Sequence, residues 1–496
     1  MTRGCDYLIV GAGSAGATLA ERLTENPDVR VLLIEAGPDF SSAETPPQFH
    51  TRDADTRTDQ NPEFWWSGLT ARRSPVQRES EYLQGRGTGG SSTVNGLCAI
   101  RGIPDDYDRW ARAGAKGWSF EEVLPSFVKL EDEHDFPAAS YHGKGGPVPV
   151  YREPVKGWGG VDLAFRDAAL DAGYGWANDH NSPDATGLSP FAMNIRCGRR
   201  ISVNDGYLEP ARRRPNLTIR GSATADTLTF SSRRPAVTGV RLANGQLVPA
   251  GEVIIACGAA HSPALLMRSG IGPARDLAKL GIDAVADLPV GRQLQDHALL
   301  LIKLPTKPSA RRSVGNRRTN CVLRYSSGLA GAGANDMMLL ANNGSTLSHS
   351  WMVVQQQQVF SRGRLTLRSR DAAVEPLVEL GLGTDERDLA RVRDGLERAR
   401  QLLSQRALRT VLEGRPELPA GPDLLKVITS TEHLCATCPM GATDGDENVV
   451  DPECRVLGVD GLRVIDSSVI PEIPRANLHL TVVMIAEHMA MRMARR

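Results

Sequence analysis

The 496 residues exceed the size of one ordinary domain, so we expect two closely packed domains. The 58 basic and 58 acidic side chains cancel, which excludes bulk electrostatic attraction to nucleic acid or to an anionic membrane. The chain contains no apolar run of membrane-spanning length, no apolar leader in residues 1–5, and eight scattered cysteines that resemble reduced thiols. We therefore expect a cytoplasmic protein without a membrane span.

The first recognisable unit lies at residues 6–34. A short apolar run at 6–10 predicts a buried strand, and the apolar spacing of 17–23 predicts a helix. A second buried strand is predicted at 31–34. Residues 11–16 read G-A-G-S-A-G, so the G-x-G-x-x-G pattern falls at the turn between strand and helix.

Each glycine of this pattern has a separate physical role. Gly11 allows the tight turn, Gly13 lets a pyrophosphate approach the backbone, and Gly16 lets the helix pack closely on the strand. Unpaired N–H groups at the helix start would bind the phosphates. Glu35 ends the second strand, where an acidic side chain accepts hydrogen bonds from a ribose 2′-OH and repels the 2′-phosphate of NADP. The unit predicts an ADP-containing cofactor and leaves FAD and NAD open.

Two further segments are unusual. Residues 85–96 read G-R-G-T-G-G-S-S-T-V-N-G, a composition that suits backbone lying against a flat ligand. The alternative, a flexible linker, leaves the apolar residues Val94, Leu97 and Ile100 unexplained. Residues 258–272 read G-A-A-H-S-P-A-L-L-M-R-S-G-I-G and follow a predicted buried strand at 253–258.

These two segments resemble the two signatures of the glucose–methanol–choline (GMC) flavoenzymes. The resemblance continues in collinear order over essentially the whole chain, through residues 106–110, 117–119, 214–218, 290–297 and 361–365 and the carboxy-terminal motifs. It implies FAD rather than NAD, and an α/β fold with a Rossmann-like FAD-binding domain and an inserted α+β substrate domain built on an antiparallel sheet. The implied boundaries are 1–145, 201–297 and 426–496 for the FAD-binding domain and 146–200 and 298–425 for the substrate domain.

The resemblance also implies which residues contact the cofactor, with Ala225 near the adenine or ribose. Some relatives attach FAD covalently through a His in the first signature, where this chain has Val94, so we expect non-covalent FAD. Carried over by position, the expected cofactor-binding residues are Gly11, Gly13, Ser14, Ala15, Gly16, Glu35, Ala36, Arg86, Gly89, Gly90, Ser91, Asn95, Gly96, Cys98, Ala225, Asp466, Ser467 and His479.

The carboxy-terminal motifs at 433–441 and 477–487 resemble the catalytic end of the family, which opens the first motif with His and the second with His or Asn. By position these are His433 and Asn477. A neutral His can take the hydroxyl proton while hydride moves to flavin N5, and an Asn amide can hydrogen-bond the substrate oxygen. His479 stands where the family often has Asn, so it is either a residue beside the flavin or the second catalytic residue. We favour Asn477.

The expected activity is FAD-dependent oxidation of a small-molecule alcohol, with oxygen or another redox carrier as electron acceptor. The alternatives are a non-redox flavoprotein of the same fold, such as a lyase or decarboxylase, and an NAD-binding or catalytically silent protein. We expect no metal, because Cys435 and Cys438 form a C-x-x-C pair without the second ligand pair that a structural zinc needs.

The remaining predictions are structural. Short strands are predicted near 217–219, 228–230 and 239–242, a helix over 385–403, and irregular structure over 145–195. The basic cluster of Arg311, Arg312, Arg317 and Arg318, beside Ser313 and Gly315, predicts a solvated loop, with guidance of an acidic or phosphorylated substrate as the alternative. The polar run 355–358 could belong to a strand that lines the pocket. The other histidines are interpreted as structural, with His297 orienting a loop.

Overall fold

The computed structural model describes residues 5–52, 61–232, 234–313, 316–346, 348–443 and 445–494, and Gly315 lies outside these ranges. The protein is a mixed α/β structure with several sheets. Its helices are Ser14–Leu23, Ser91–Val94, Pro104–Arg112, Phe120–Leu130, Gly160–Asp171, Glu209–Ala211, Gly258–Arg268, Ala274–Lys279, Glu386–Ser404, Arg406–Val411, Leu424–Val427 and Leu478–Ala494. Within the described ranges, none of these helices is both long and apolar enough to cross a membrane.

A seven-stranded sheet, hereafter the parallel sheet, organises the amino-terminal unit. Five of its strands run parallel, in the order Leu217–Arg220, Val31–Ile34, Cys5–Val10, Leu247–Ile255 and Leu462–Val464. The first half of Leu247–Ile255 also pairs with an antiparallel extension, Val237–Leu242 and Ala225–Phe230. The predicted strands at 6–10 and 31–34 and the helix between them are confirmed, as are the short strands of the extension.

Packing between two helices fixes the position of the glycine turn at residues 11–16. Ser14–Leu23 is buried along most of its length and packs against Leu478–Ala494, whose side chains are also mostly buried. The Arg22 guanidinium ties the two helices together by binding Glu487 in a bidentate ion pair, with N–O distances of 2.7–2.9 Å. The amino-terminal glycine turn and the carboxy-terminal motif therefore meet, although they are far apart in sequence.

A second sheet of six strands, hereafter the antiparallel sheet, faces the end of the parallel sheet. Its strand order is Thr429–Ser430, Ala298–Leu304, Ser350–Gln356, Met337–Asn342, Cys321–Tyr325 and Gly187–Pro190, and every pairing is antiparallel. Helices Gly160–Asp171 and Glu386–Ser404 pack on it. Because side chains alternate between the faces of a strand, the opposite face of this sheet is left for a cavity.

Three smaller sheets complete the fold. Their strands are Thr70–Arg72 and Ser80–Glu81 with Arg364–Thr366 and Leu377–Glu379; Glu131–Glu133 and Val148–Arg152 with Ala192–Met193; and Ile195–Arg196 with Arg199–Arg200. The helix predicted at 385–403 is confirmed as Glu386–Ser404. The irregular structure expected over 145–195 is wrong for several segments, because Gly160–Asp171 is a regular helix with Val161, Phe165 and Ala168 fully buried. The strands Val148–Arg152, Gly187–Pro190 and Ala192–Met193 also lie in this range.

A buried ion network anchors the chain that follows the glycine-rich segment. The His142 ring lies between two carboxylates, 2.8 Å from Glu131 and 2.9 Å from Asp179. Burial disfavours the charged imidazolium, but these hydrogen bonds outweigh it and raise the pKa of His142 to about 9. Arg101 pairs with Glu131, and Arg152 pairs with Asp179. Because the guanidinium groups already balance the carboxylates, we interpret the cluster as an ion-pair network that fixes residue 101.

Candidate active site

A cavity of about 670 Å³ lies at the carboxyl ends of the parallel strands. Its wall includes Val10 and Ile34, the last residues of two parallel strands, and Ala256, which follows a third. Ligands in open α/β sheets bind at this edge of the sheet. The opposite wall comes from the antiparallel sheet, so the cavity runs between the two sheets.

The nucleotide loop, residues 11–16, forms one end of the cavity. Gly11 has a φ of 102°, and a Cβ there would lie 2.5 Å from the carbonyl oxygen of Ala256. A Cβ on Gly16 would overlap the carbonyl oxygen of Gly11. The helix that starts at Ser14 has no side-chain cap, so its first N–H groups are open to a ligand in the cavity.

The glycine-rich segment, residues 85–96, lies directly against this loop. The Gly89 N–H donates to the Ala12 carbonyl at 2.8 Å, and a Cβ on Gly90 would come 2.8 Å from the Gly13 Cα. The segment is not entirely irregular, since Ser91–Val94 forms one helical turn. The two glycine segments thus form a flat surface beside the cavity. A larger side chain at these glycines would not fit between the segments.

Glu35 joins the two glycine segments. Its carboxylate accepts hydrogen bonds from the backbone N–H of Ala12 (2.8 Å), Gly37 (2.8 Å) and Gly87 (3.1 Å). Glu35 also lines the cavity. A carboxylate has about four acceptor positions, so one remains for a ligand after three are used by the backbone.

Most predicted cofactor residues lie in the cavity wall. Three do not belong to it: Gly16, Gly89 and Arg86, whose guanidinium donates to the Ala36 carbonyl at 2.8 Å and lies 5.3 Å from the Trp66 ring centre. Their contact with a cofactor stays a prediction. The predicted residues that line the cavity are Gly11, Gly13, Ser14, Ala15, Glu35, Ala36, Gly90, Ser91, Asn95, Gly96, Cys98, Ala225, Asp466, Ser467 and His479.

His433 lies at the other end of the cavity and is held by several contacts. Its backbone N–H donates to the Asp296 carboxylate at 2.9 Å. Its ring Nδ1 lies 2.8 Å from the Thr431 hydroxyl and 2.9 Å from Nδ1 of His297. Asp296 also accepts a hydrogen bond from the Tyr82 hydroxyl at 2.7 Å. The imidazole orientation is therefore set by a buried network.

The same contacts favour the tautomer of neutral His433 that carries its proton on Nδ1. His297 Nε2 lies 3.0 Å from the Pro474 carbonyl, which can only accept, so Nε2 of His297 carries hydrogen. His297 is neutral because burial lowers its pKa to about 4, so its Nδ1 is an acceptor. His433 must then donate from Nδ1. Its Nε2 is left with a lone pair, which is what a general base needs.

Burial keeps His433 in this neutral form. Removal from water, followed by the nearby His297, holds the pKa of His433 well below 6.5. Burial instead raises the pKa of Asp296 to about 6. The His433 ring is therefore neutral near pH 7.

Asn477, and not His479, is the predicted catalytic residue that the fold brings beside His433. The Asn477 Nδ2 lies 3.2 Å from His433 Nε2, and its Oδ1 has no hydrogen-bond partner among the described residues. His479 lies at the nucleotide end, where its Nδ1 is 3.4 Å from the Ser14 hydroxyl, and burial lowers its pKa to about 4. Both side chains line the cavity.

Asp466 and Ser467 follow the strand Leu462–Val464 and complete the wall. The Asp466 carboxylate accepts from the Gly258 N–H at 2.8 Å and from the Ser262 hydroxyl at 2.5 Å. Burial raises its pKa. Asp466 thus links the carboxy-terminal motif to the start of helix Gly258–Arg268.

The antiparallel sheet supplies a mainly apolar wall, of which the sequence indicated only the polar run 355–358; Gln355 of that run lies in a strand and lines the cavity. The side chains that line the cavity from this sheet and from adjacent segments are Phe191, Met193, Leu299, Leu301, Met338, Leu340, Asn342, Val353 and Gln355. The solvated-loop prediction for the basic cluster is wrong for Arg312 and Arg317, which are 8% and 3% exposed. Arg317 donates to the Phe191 carbonyl at 2.8 Å, and Arg318 lines the cavity.

His297 is a site residue whose contact with His433 the sequence did not indicate. The pattern at residues 290–297 marked it, but only as a residue that orients a loop. Its contact with His433 depends on the pairing of Ala298 with Ser430, which joins strands more than a hundred residues apart.

Comparison with protein families gives two matches. The family model of the amino-terminal part of GMC oxidoreductases matches residues 5–299, and that of the carboxy-terminal part matches residues 359–486. Together they include the nucleotide loop, the glycine-rich segment, His433 and Asn477.

Similar proteins match along their full length. The chain is 36% identical to 5-(hydroxymethyl)furfural oxidase of Methylovorus sp. (strain MP688), covering 98% of each chain. It is 35% identical to an oxygen-dependent choline dehydrogenase of Burkholderia thailandensis, covering 100% of this chain and 94% of that protein. The crystal structure of pyridoxine 4-oxidase from Mesorbium loti is similar with a TM-score of 0.89 and 29% identity, over 99% of this chain and 100% of that chain.

Proposed function

The chain belongs to the GMC oxidoreductase family, and on that premise we propose how its cavity oxidises an alcohol. It is an FAD-dependent alcohol oxidoreductase. The observation that carries the proposal is the His433 ring nitrogen Nε2, whose lone pair faces a cavity that begins at a nucleotide loop.

The residues of the cavity fit FAD. The glycine surface at Gly90 and Gly13, the uncapped helix start at Ser14 and the remaining acceptor position of Glu35 match a flat dinucleotide with a pyrophosphate and a ribose. The volume lies in the range of about 300–1,000 Å³ typical of cofactor and ligand sites. We assign the pyrophosphate to residues 13–15 and the ribose to Glu35. When bound, FAD accepts the hydride that leaves the alcohol carbon.

His433 acts as the general base. The substrate hydroxyl donates to Nε2, and its proton moves to that nitrogen as the carbon–hydrogen bond breaks. The imidazolium that forms keeps its Nδ1–H bond to His297, and its backbone N–H keeps its bond to the Asp296 carboxylate. The Asn477 amide, which donates towards Nε2 before substrate binds, donates to the substrate oxygen and stabilises its developing negative charge.

Two variants distinguish the roles of Asn477 and His479. Asn477→Ala removes the amide donor at the reacting oxygen, so we expect anaerobic flavin reduction by an alcohol to slow about 10²–10³-fold with FAD retained. His479→Ala is the matched control from the same helix turn, and should weaken FAD retention more than it slows reduction of the loaded enzyme. Stopped-flow absorbance measures both. The reverse pattern would assign the substrate oxygen to His479.

We propose that FAD is held without a covalent bond. Val94, at the position where some relatives have a linking His, is buried with Phe40, Phe49 and Phe64. Burial raises the pKa of the cavity-lining Cys98 thiol to about 12 and that of Cys257 higher still, which leaves both thiols protonated and poorly nucleophilic.

Acid precipitation tests this proposal. We expect all flavin absorbance in the supernatant after the denatured protein is removed, since none of these side chains provides a covalent attachment. Flavin that stays with the pellet, or with the protein band on a denaturing gel, would contradict the proposal.

We further propose how the chain is divided between two domains. Residues 1–145, 201–297 and 426–496 would form the FAD-binding domain, and residues 146–200 and 298–425 an inserted α+β substrate domain. The proposal is supported by the strands of the parallel sheet, which all come from the first three ranges. It is also supported by the antiparallel sheet, in which every described strand except the edge strand Thr429–Ser430 lies within the last two ranges. Oxidases among the similar proteins support oxygen as the electron acceptor.

A further inference from the structure

Gln355 is a buried polar side chain among apolar neighbours in the cavity wall. It lies in the strand Ser350–Gln356 and is 4% exposed. Its ladder partners on the two neighbouring strands are Leu299 and Met338, which also line the cavity. Directly paired residues project from the same face of a sheet, so Gln355 is a single amide between two apolar side chains.

The amide nitrogen of Gln355 has no hydrogen-bond partner among the described residues. Its neighbour Gln356 points to the other face of the sheet, where its amide donates to the Gln358 carbonyl at 2.7 Å and to Asp388. A buried amide without a partner is costly, and most such groups in folded proteins are satisfied. An orphaned donor in a cavity wall indicates that a ligand supplies the acceptor.

Gln355 and His433 line the same cavity, and strand pairing relates their positions. Leu299 pairs with Gln355 on one side and with Thr429 on the other, and Thr429 leads directly into the segment that carries His433. Two strand spacings separate Gln355 from Thr429, about 10 Å. A ring or a short apolar spacer spans a gap of that order.

We propose that Gln355 binds a second oxygen function of the alcohol substrate, so that the enzyme prefers difunctional alcohols to monofunctional alcohols of the same shape. The inference rests on the proposed function, in which the reacting hydroxyl is held by His433 and Asn477. The second oxygen is a hydroxyl, carbonyl or ether oxygen on the far side of an apolar spacer, which packs against Met338, Leu340 and Val353.

The preference can be measured with a matched pair of alcohols. 1,4-Benzenedimethanol carries a second hydroxyl, and 4-ethylbenzyl alcohol replaces that hydroxyl by a methyl group. A site built to hydrogen-bond a substrate group discriminates strongly against the analogue that lacks it, so we expect a wild-type kcat/KM ratio of at least about 10 in favour of the diol.

Gln355→Met removes the amide while keeping the side-chain length. We expect the variant to lose about 10- to 100-fold in kcat/KM for the diol and to keep or gain activity on 4-ethylbenzyl alcohol. Met338→Leu, at the paired position on the next strand, is the control and should change both alcohols together.

The outcomes distinguish failure of the Gln355 inference from failure of the proposed function. A wild-type ratio near the statistical value for two equal hydroxyl groups, with both alcohols oxidised, would overturn the inference alone and requires no variant. A ratio that survives in Gln355→Met would do the same. Failure of both alcohols to reduce the flavin of the wild-type protein would overturn the proposed function for this class of substrate and the inference with it.

Discussion

Replacing His433 by alanine is expected to slow flavin reduction by about 10²–10⁴-fold while the protein stays yellow. The variant loses the ring nitrogen Nε2, which lies beside Asn477 as an acceptor. FAD retention should be unaffected, because the nucleotide loop and Glu35 lie at the other end of the cavity. Anaerobic stopped-flow absorbance with saturating alcohol measures the rate constant directly.

The control for this variant is His261→Ala. His261 lines the same cavity, but its ring stacks on Trp66 at 4.0 Å and pairs with Glu375 at 2.9 Å. We expect the flavin-loaded control to be reduced at close to the wild-type rate. Equal rates in His433→Ala and wild type would show that another group takes the proton.

The pH dependence of flavin reduction also tests the assignment of His433 as the general base. A general base works when it is unprotonated, and burial holds the pKa of His433 well below 6.5. The wild-type rate constant should therefore be flat from about pH 8 to about pH 6.5 and fall only at lower pH, rather than show the midpoint of an ordinary histidine. An acid limb with its midpoint at or above 6.5 would mean that the base is not buried in this way.

Replacing Glu35 by alanine is expected to raise the dissociation constant of FAD by about 10²-fold or more. The change removes the ribose acceptor and leaves three buried N–H groups, of Ala12, Gly37 and Gly87, without their common partner. The nucleotide loop and the glycine-rich segment then lose the group that joins them, so the site is no longer preorganised. Fluorescence titration of the deflavinated protein with FAD measures the effect.

Two controls show whether the loss of FAD affinity is specific to Glu35. Asp39→Ala removes a nearby acid that pairs with Arg212 outside the cavity wall, and should leave FAD affinity close to wild type. The fraction of Glu35→Ala that is loaded with FAD should be reduced by alcohol at nearly the wild-type rate, because Glu35 is remote from His433. Unchanged FAD affinity in Glu35→Ala would contradict its assignment to the ribose.

The sequence was sufficient to predict those elements whose structure is determined by neighbouring residues. The strands Cys5–Val10 and Val31–Ile34 and the helix between them follow from apolar spacing and from glycines whose missing side chains permit the observed contacts. The helix Gly160–Asp171 has the same kind of signal, with Val161, Ala164, Phe165 and Ala168 on its buried side. The turn clusters around it obscured that spacing.

Features that depend on long-range pairing could not be predicted. His297 meets His433 because strand Ala298–Leu304 pairs with Thr429–Ser430, and no local pattern indicates that register. The burial of Arg317 depends on a backbone carbonyl supplied by Phe191 across the fold. The Gln355 amide nitrogen, which has no partner among the residues that the structure describes, is likewise visible only once its neighbouring strands are in place.

The most direct test of the central claim is the anaerobic absorbance of the purified protein on mixing with a panel of primary alcohols. We predict that at least one alcohol bleaches the bound flavin, that oxygen restores the colour, and that the same alcohol leaves His433→Ala oxidised on that timescale. A protein that cannot take up FAD, or product that forms while the flavin stays oxidised, would contradict the account.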